Sequence, residues 1–327
     1  MRRPLLAALA SVALFSWPAS AQALGPYPDL GSCPVFPDPP PSLSPRAPSL
    51  PNQAAWNQDI SKAPVAPNSA ATIAYINANG GNFLHPDFGS PRAYGFPYTV
   101  VGAAQQRLSI HYTAYGSESD PGPFPIPGGA PVEGGRSSDG DRHVLVVDRS
   151  SCMLYELYRG FFTQSGQPHW NADSGASWNL RSSALRPDSW TSADAAGLPI
   201  FPGLLRYDEV AGGHVEHAIR VTFDSTRDAW LHPASHCAGD TANPSAPPMG
   251  ARLRLKPGYG LSHFSGGART IAVALKHYGM IVADNGSNWF FGGSSDRRWD
   301  DENLNQLKQI PGNAFQVVRS AARVRAC

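Results

Sequence analysis

Apolar residues in this chain fall mostly into short runs broken by Gly, Pro, Asn and Ser. Such punctuation favours strands over long helices. The pattern predicts strands at Phe96–Val101, Leu108–Tyr112, His214–Phe223, Met249–Lys256, Met280–Ala283 and Ala314–Arg319. Its clearest element is a hairpin, His143–Asp148 and Met153–Tyr158, around Arg149-Ser150-Ser151-Cys152. A turn centred on Ser150-Ser151 sets His143 opposite Tyr158 and Leu145 opposite Glu156. Period-two alternation then places His143, Leu145 and Val147 on one face with Leu154, Glu156 and Tyr158. His143 and Glu156 become diagonal neighbours, roughly 7–8 Å apart by backbone. Two ionisable groups on an otherwise apolar face mark this hairpin as a place to look for chemistry.

Helical spacing is rarer. Ser69–Asn79 reads as a short helix capped by Ser69 and stopped by Gly80-Gly81, and Asp301–Ile310 as another, stopped by Pro311-Gly312. In Ser265–Tyr278, Ile271, Ala274, Leu275 and Tyr278 share one face, with Ser265 as cap and Gly279 as stop. The expected fold is therefore a single mainly-β domain, a two-sheet β-sandwich with two or three peripheral α-helices.

The N-terminal region reads differently. Arg2 and Arg3, the apolar run Leu5–Trp17 and Ala19-Ser20-Ala21 form a secretory signal peptide over residues 1–21. Its run is shorter than the roughly 20 apolar residues of a membrane span. Residues 22–54 are rich in proline, ten between Pro26 and Pro51, and should run as an extended strap. Residues 55–327 form the domain. Between Gly116 and Gly140 lies a long Pro/Gly-rich loop carrying Glu118, Asp120, Glu133 and Asp139. Loops of that length are usually functional or disordered.

Charged residues make up only 16% of the chain, against about 25% in an average domain. The net charge of +1 gives no footprint for nucleic acid or an anionic membrane, and the chain is expected to be a monomer. Cys33, Cys152, Cys237 and Cys327 form an even set, read as two disulfides in an oxidising compartment. Three pairings are open; tying both ends to the domain favours Cys33–Cys327 with Cys152–Cys237.

Three clusters compete to carry chemistry. Asp139-Gly140-Asp141-Arg142-His143 offers alternate acids beside an imidazole. That set suits calcium or a transition metal, though the full calcium pattern is absent and no cofactor is expected. Asp284-Asn285-Gly286-Ser287-Asn288-Trp289 closes an apolar strand with a carboxylate, two amides and an indole, the equipment of a sugar site. Trp178, Arg181, Arg186 and Trp190 set two guanidinium forks between two indoles, a cradle for a carboxylate-bearing sugar. Asp194 reads as part of a cap after Thr191-Ser192, and His217 as a core histidine.

The stretches Asp141–Asp148, Trp190–Ile200 and Tyr278–Ser287 resemble a family of secreted bacterial proteins of unassigned function, over most of Trp56–Val318. The resemblance implies one continuous domain and no activity. The hairpin is also faintly similar to the opening strands of L,D-transpeptidase domains, but their cysteine motif is missing here.

The expected function is a secreted enzyme cleaving an extracellular polysaccharide, most simply a glycoside hydrolase with two loop carboxylates as acid and base or nucleophile. The candidates are Asp284 and Glu133, with Glu156, Asp141 and His143 in reserve. Trp178 and Trp289 would be sugar platforms, with Asn285, Arg181 and Arg186 as further substrate contacts. Alternatives are a lyase on uronate-containing glycans, with the two arginines on the carboxylate, and a non-catalytic glycan- or wall-binding module. The Asp284–Trp289 loop is expected at the mouth of a cleft that also receives the loop 118–141.

Overall fold

The computed structural model describes residues 28–35, 55–90 and 94–327. The expected signal peptide and most of the expected proline-rich strap lie outside the described residues. The chain is mainly β, with 26% strand against 17% helix. Four short α-helices, Ser69–Ala78, Tyr207–Ala211, Gly266–His277 and Asp301–Asn305, accompany the sheets, one more than the upper expectation.

The hairpin is the centre of the molecule. Val144–Asp148 and Met153–Tyr158 pair antiparallel with Leu145 opposite Glu156, in the register that a turn centred on Ser150-Ser151 requires. Tyr98–Val101 adds a parallel strand on one side and Ser174–Asn179 an antiparallel one on the other. Both faces of this four-stranded sheet are covered, which is why Val144–Asp148 is an unbroken buried run. One face, with Val144, Val146, Tyr155 and Leu157, packs on a three-stranded sheet through Trp170 and Ala172. Phe124, Ile126, Ala130 and Val132 of the long Pro/Gly loop join that core, so the loop is pinned by its own apolar side chains. The other face, with Leu145, Val147, Leu154 and Trp178, joins the main core.

That main core also takes one six-stranded mixed sheet. Its strand order is His85–Pro86, Phe290–Phe291, Ile219–Phe223, Met280–Asn285, Arg252–Leu255, Phe315–Val317. Met280–Ala283 lies at its centre with every residue at zero exposure, as its uninterrupted apolar run requires. The amphipathic helix Gly266–His277 buries Ala268, Ile271, Ala274 and Leu275 in the same core. It ends at Gly279, whose φ of 67° and contact with the Leu253 carbonyl leave no room for a side chain.

Two local expectations are corrected. Ser69 is the first residue of its helix, not the cap; its hydroxyl accepts from Val317 N at 2.8 Å. The last helix is α only over Asp301–Asn305 and tightens to 3-10 geometry over Gln306–Gln309, with Asp300 capping Asn303 N at 3.0 Å.

The disulfide pairing also differs. Cys33 joins Cys152 and Cys237 joins Cys327. Cys152 sits at the hairpin turn with φ 55°, and the segment 28–35 crosses that turn, bringing the two Cα atoms to 5.4 Å. The final strand, Arg325–Ala326, pairs antiparallel with Arg227–Trp230 and carries Cys327 to Cys237. Each chain end is tied down, but to its nearer partner. Two disulfides suit an oxidising environment, and no described helix is long and apolar enough to cross a membrane.

Candidate active site

The site forms where the central strand of the six-stranded sheet meets the segment 191–197. Register between Met280–Asn285 and Ile219–Phe223 slips between Val282 and Asp284, a bulge that gives Ala283 no partner of its own. Bulges re-aim the side chain that follows. Here the Ala283 carbonyl accepts from Ala196 N at 2.9 Å, which docks the segment 191–197 against Asp284. The segment is sewn down along its length. Ser192 Oγ donates to the Leu198 carbonyl at 2.6 Å and accepts from Asp194 N at 2.9 Å. Ser174 Oγ donates to the Ser192 carbonyl, and the amides of Ser235 and His236 both reach the Ala196 carbonyl. Gly197 turns the chain with φ 67°, where a Cβ would lie 2.5 Å from the Trp190 carbonyl.

These constraints put Asp194 beside Asp284. Asp194 is sealed, its side chain 0% exposed, and its two oxygens accept from Arg220 Nη2 at 2.8 Å and Nε at 3.2 Å. Arg220 is itself buried in the strand Ile219–Phe223. Asp284 keeps 24% exposure, lies 3.6 Å from Arg220 Nη2, and is hydrogen-bonded to Asp194. Burial, then the Asp194 charge and that hydrogen bond, push the Asp284 carboxyl up to about 8 against the pull of Arg220. The shift is upward, so Asp284 binds its proton more tightly than an ordinary carboxyl does.

The cavity in front has a volume of about 290 Å³ and is lined by Tyr115, Asp141, Tyr158, Asp194, His236 and Asp284, among others. Asp141, which follows the Pro/Gly loop, and Asp284 both line this cavity. No hydrogen-bonding or ion-pair partner holds the Asp141 side chain among the described residues. His236 Nδ1 donates to the Ala195 carbonyl at 2.8 Å, and its Nε2 lies 3.8 Å from Glu118.

His143 and Glu133 stand one layer behind. His143 is 2% exposed; Nδ1 is 2.5 Å from Glu133 Oε2 and Nε2 is 2.9 Å from the Ala193 carbonyl. Burial disfavours the imidazolium, but the Glu133 carboxylate outweighs it and raises the group to about 9. Both nitrogens are taken, so His143 is not disposed to bind a metal with the exposed Asp139 and Asp141. Its visible role is to hold the carbonyl next to Asp194. A group of three metal-type ligands, Asp228, Cys237 and Cys327, occurs elsewhere, but its cysteines are the disulfide.

Several other sequence candidates lie away from the cavity. Glu156 is 0% exposed and accepts from Ile200 N and Phe201 N at 3.0 and 2.8 Å, so it stitches the segment after Pro199 to the hairpin. Trp289 is fully buried, its Nε1 donating to Asn77 at 2.9 Å, and Trp178 is 6% exposed; neither offers a ring face to a sugar. Arg186 is stacked between Trp178 and Trp190 and paired with Asp120 at 2.9 Å. Arg181 donates to the Ser151 carbonyl at the hairpin turn. Asn285 does line the cavity, but its amide is spent on Thr226 and the Ala238 carbonyl.

Sequence reasoning passed over Asp194 and Arg220. A signal existed for each: Arg220 interrupts the apolar run Ala218–Val221, and a charge inside a core strand calls for a buried partner. Asp194 looked like cap chemistry because its neighbours Thr191 and Ser192 do favour turns. The chain matches no family model, no curated protein and no solved structure.

Proposed function

We propose that the protein is a secreted hydrolase of extracellular polysaccharide, with Asp284 as general acid. The observation that carries this reading is a cavity-lining carboxyl, Asp284, set against a sealed, arginine-paired Asp194, where burial and then that neighbour raise its proton affinity. An acid poised near the working pH is what leaving-group protonation requires. Asp194 and Asp284 are in contact, whereas the two carboxyls of glycosidases stand about 5–5.5 Å or 6.5–9.5 Å apart. Asp194 therefore tunes the acid, and the second carboxylate is Asp141, which lines the same cavity. In the hydrolytic step Asp284 gives its proton to the departing glycosidic oxygen. A water attacks the sugar carbon and passes its own proton to Asp141; exchange with solvent then takes that proton from Asp141 and returns one to Asp284, for a net addition of water.

The asymmetry of the Asp194–Asp284 pair argues against a water-sharing aspartic dyad, in which both carboxyls must face the substrate. A lyase on uronates loses support because Arg181 and Arg186 are spent elsewhere. A binding module built on Trp178 and Trp289 loses its platforms to burial. The test is a panel of bacterial, plant and algal polysaccharides incubated with the protein and with Asp284→Asn, products read by mass. Oligosaccharides one water heavier than the anhydro-fragments, absent with D284N, support the reading. Unsaturated products, or equal release by D284N, overturn it.

A further inference from the structure

Most polar groups around the cavity are already committed. Ser174 and Ser192 donate to backbone carbonyls, Asn285 spends both ends of its amide, and the Arg220 fork is filled by Asp194. Tyr158 is different. It ends the strand Met153–Tyr158, paired with Ser174, and its hydroxyl has no protein partner among the described residues. The ring is held in place: it lies 5.5 Å from the His143 imidazole, and Arg159, at φ 52°, turns the chain away to pair with Asp173 at 2.9 Å. A residue so fixed, lining the cavity with an uncommitted O–H, is preorganised for something that enters it.

Tyr158 lines the same cavity as Asp141 and Asp284. Burial and then the Asp141 carboxylate raise the phenol above its ordinary value against the pull of Arg159, so it remains a neutral hydrogen-bond donor through neutral and mildly alkaline pH.

We infer that Tyr158 is a further catalytic residue of this cavity, donating its O–H to a substrate oxygen held between Asp141 and Asp284. The inference rests on the hydrolase reading of the site. Tyr158 keeps its proton throughout; it supplies a hydrogen bond that strengthens as charge redistributes around the breaking glycosidic bond. An apolar ring edge there would leave that oxygen without a donor in a site from which substrate excludes water.

The experiment compares wild type, Tyr158→Phe and Asp284→Asn on whichever polysaccharide the panel identifies, with thermal midpoints measured alongside. Removing a hydroxyl that has no protein partner leaves the midpoint of Y158F unchanged. Loss of one such donor in the transition state lowers kcat by about 10- to 100-fold, with KM within about twofold. Wild-type kcat in Y158F, or a change confined to KM, overturns the role of Tyr158 while D284N remains inactive. Full activity in D284N, by contrast, removes the hydrolase reading itself.

Discussion

Replacing Arg220 by Met tests the electrostatic frame of the site while leaving both carboxyls in the chain. Arg220 is the donor that both Asp194 oxygens share, and Asp194 is 0% exposed. Its removal leaves a carboxylate sealed from water beside a second carboxyl. Breaking a buried pair from one side costs about 3–5 kcal/mol. The stranded group escapes part of that cost by binding a proton, so its folded-state affinity for protons rises above that of the unfolded chain. Stability then falls as pH rises, by about 1.4 kcal/mol for each pH unit between the two values. The deficit of R220M against wild type should therefore be small near about pH 4 and reach about 3–5 kcal/mol near about pH 7. Urea unfolding with the disulfides intact, followed by tryptophan fluorescence at several pH values, reads this directly. Adding Asp194→Asn to R220M removes the stranded charge and should recover much of the loss at neutral pH. A deficit below about 1 kcal/mol, or one that does not grow with pH, refutes the reasoning.

Three further outcomes follow from the same contacts. Glu156→Gln keeps an acceptor for Ile200 N and Phe201 N while removing a carboxyl that burial raises to about 7, so stability at neutral pH should change by less than about 1 kcal/mol and turnover should persist; loss of turnover with folding intact would make Glu156 a participant. For His143, raised from 6.5 to about 9, the imidazolium's contribution is complete below 6.5 and lost as pH rises through 9. The stability difference between wild type and His143→Gln should thus shrink by about 3 kcal/mol across that window, and a constant difference in chemical denaturation contradicts the Glu133 pairing. Peptide mapping without reduction should recover Cys33 linked to Cys152 and Cys237 linked to Cys327, and Cys33→Ala with Cys152→Ala, which opens a closure of 119 residues, should cost about 2–5 kcal/mol.

The parts of the fold that local pattern controls were legible in the sequence. The hairpin register follows from a turn centred on Ser150-Ser151, and alternation then assigns Val144 and Val146 to one core and Leu145 and Val147 to the other. The helix Gly266–His277 follows from its one apolar face. Asp284 was legible as a carboxylate closing a buried strand. What turns it into an acid was not, because Asp194 and Arg220 are distant in sequence and meet only through a bulge at Ala283 and a docked segment. Aromatic residues misled in the opposite direction. Trp289 and Trp178 looked like sugar platforms, yet their size made them core residues, and burial on that scale is decided by tertiary packing. Cysteine pairing failed for a similar reason: spacing says nothing about which strand the chain end will join.

The central claim is that Asp284 holds a proton at neutral pH. Infrared spectra of the protein carrying ¹³C-labelled aspartate, taken as wild type minus D284N across a pH series, isolate that one carboxyl. The account predicts a protonated carboxyl band that belongs to Asp284 and disappears as pH rises through about 8. A band already lost by about pH 5, near the ordinary carboxylate range, contradicts it.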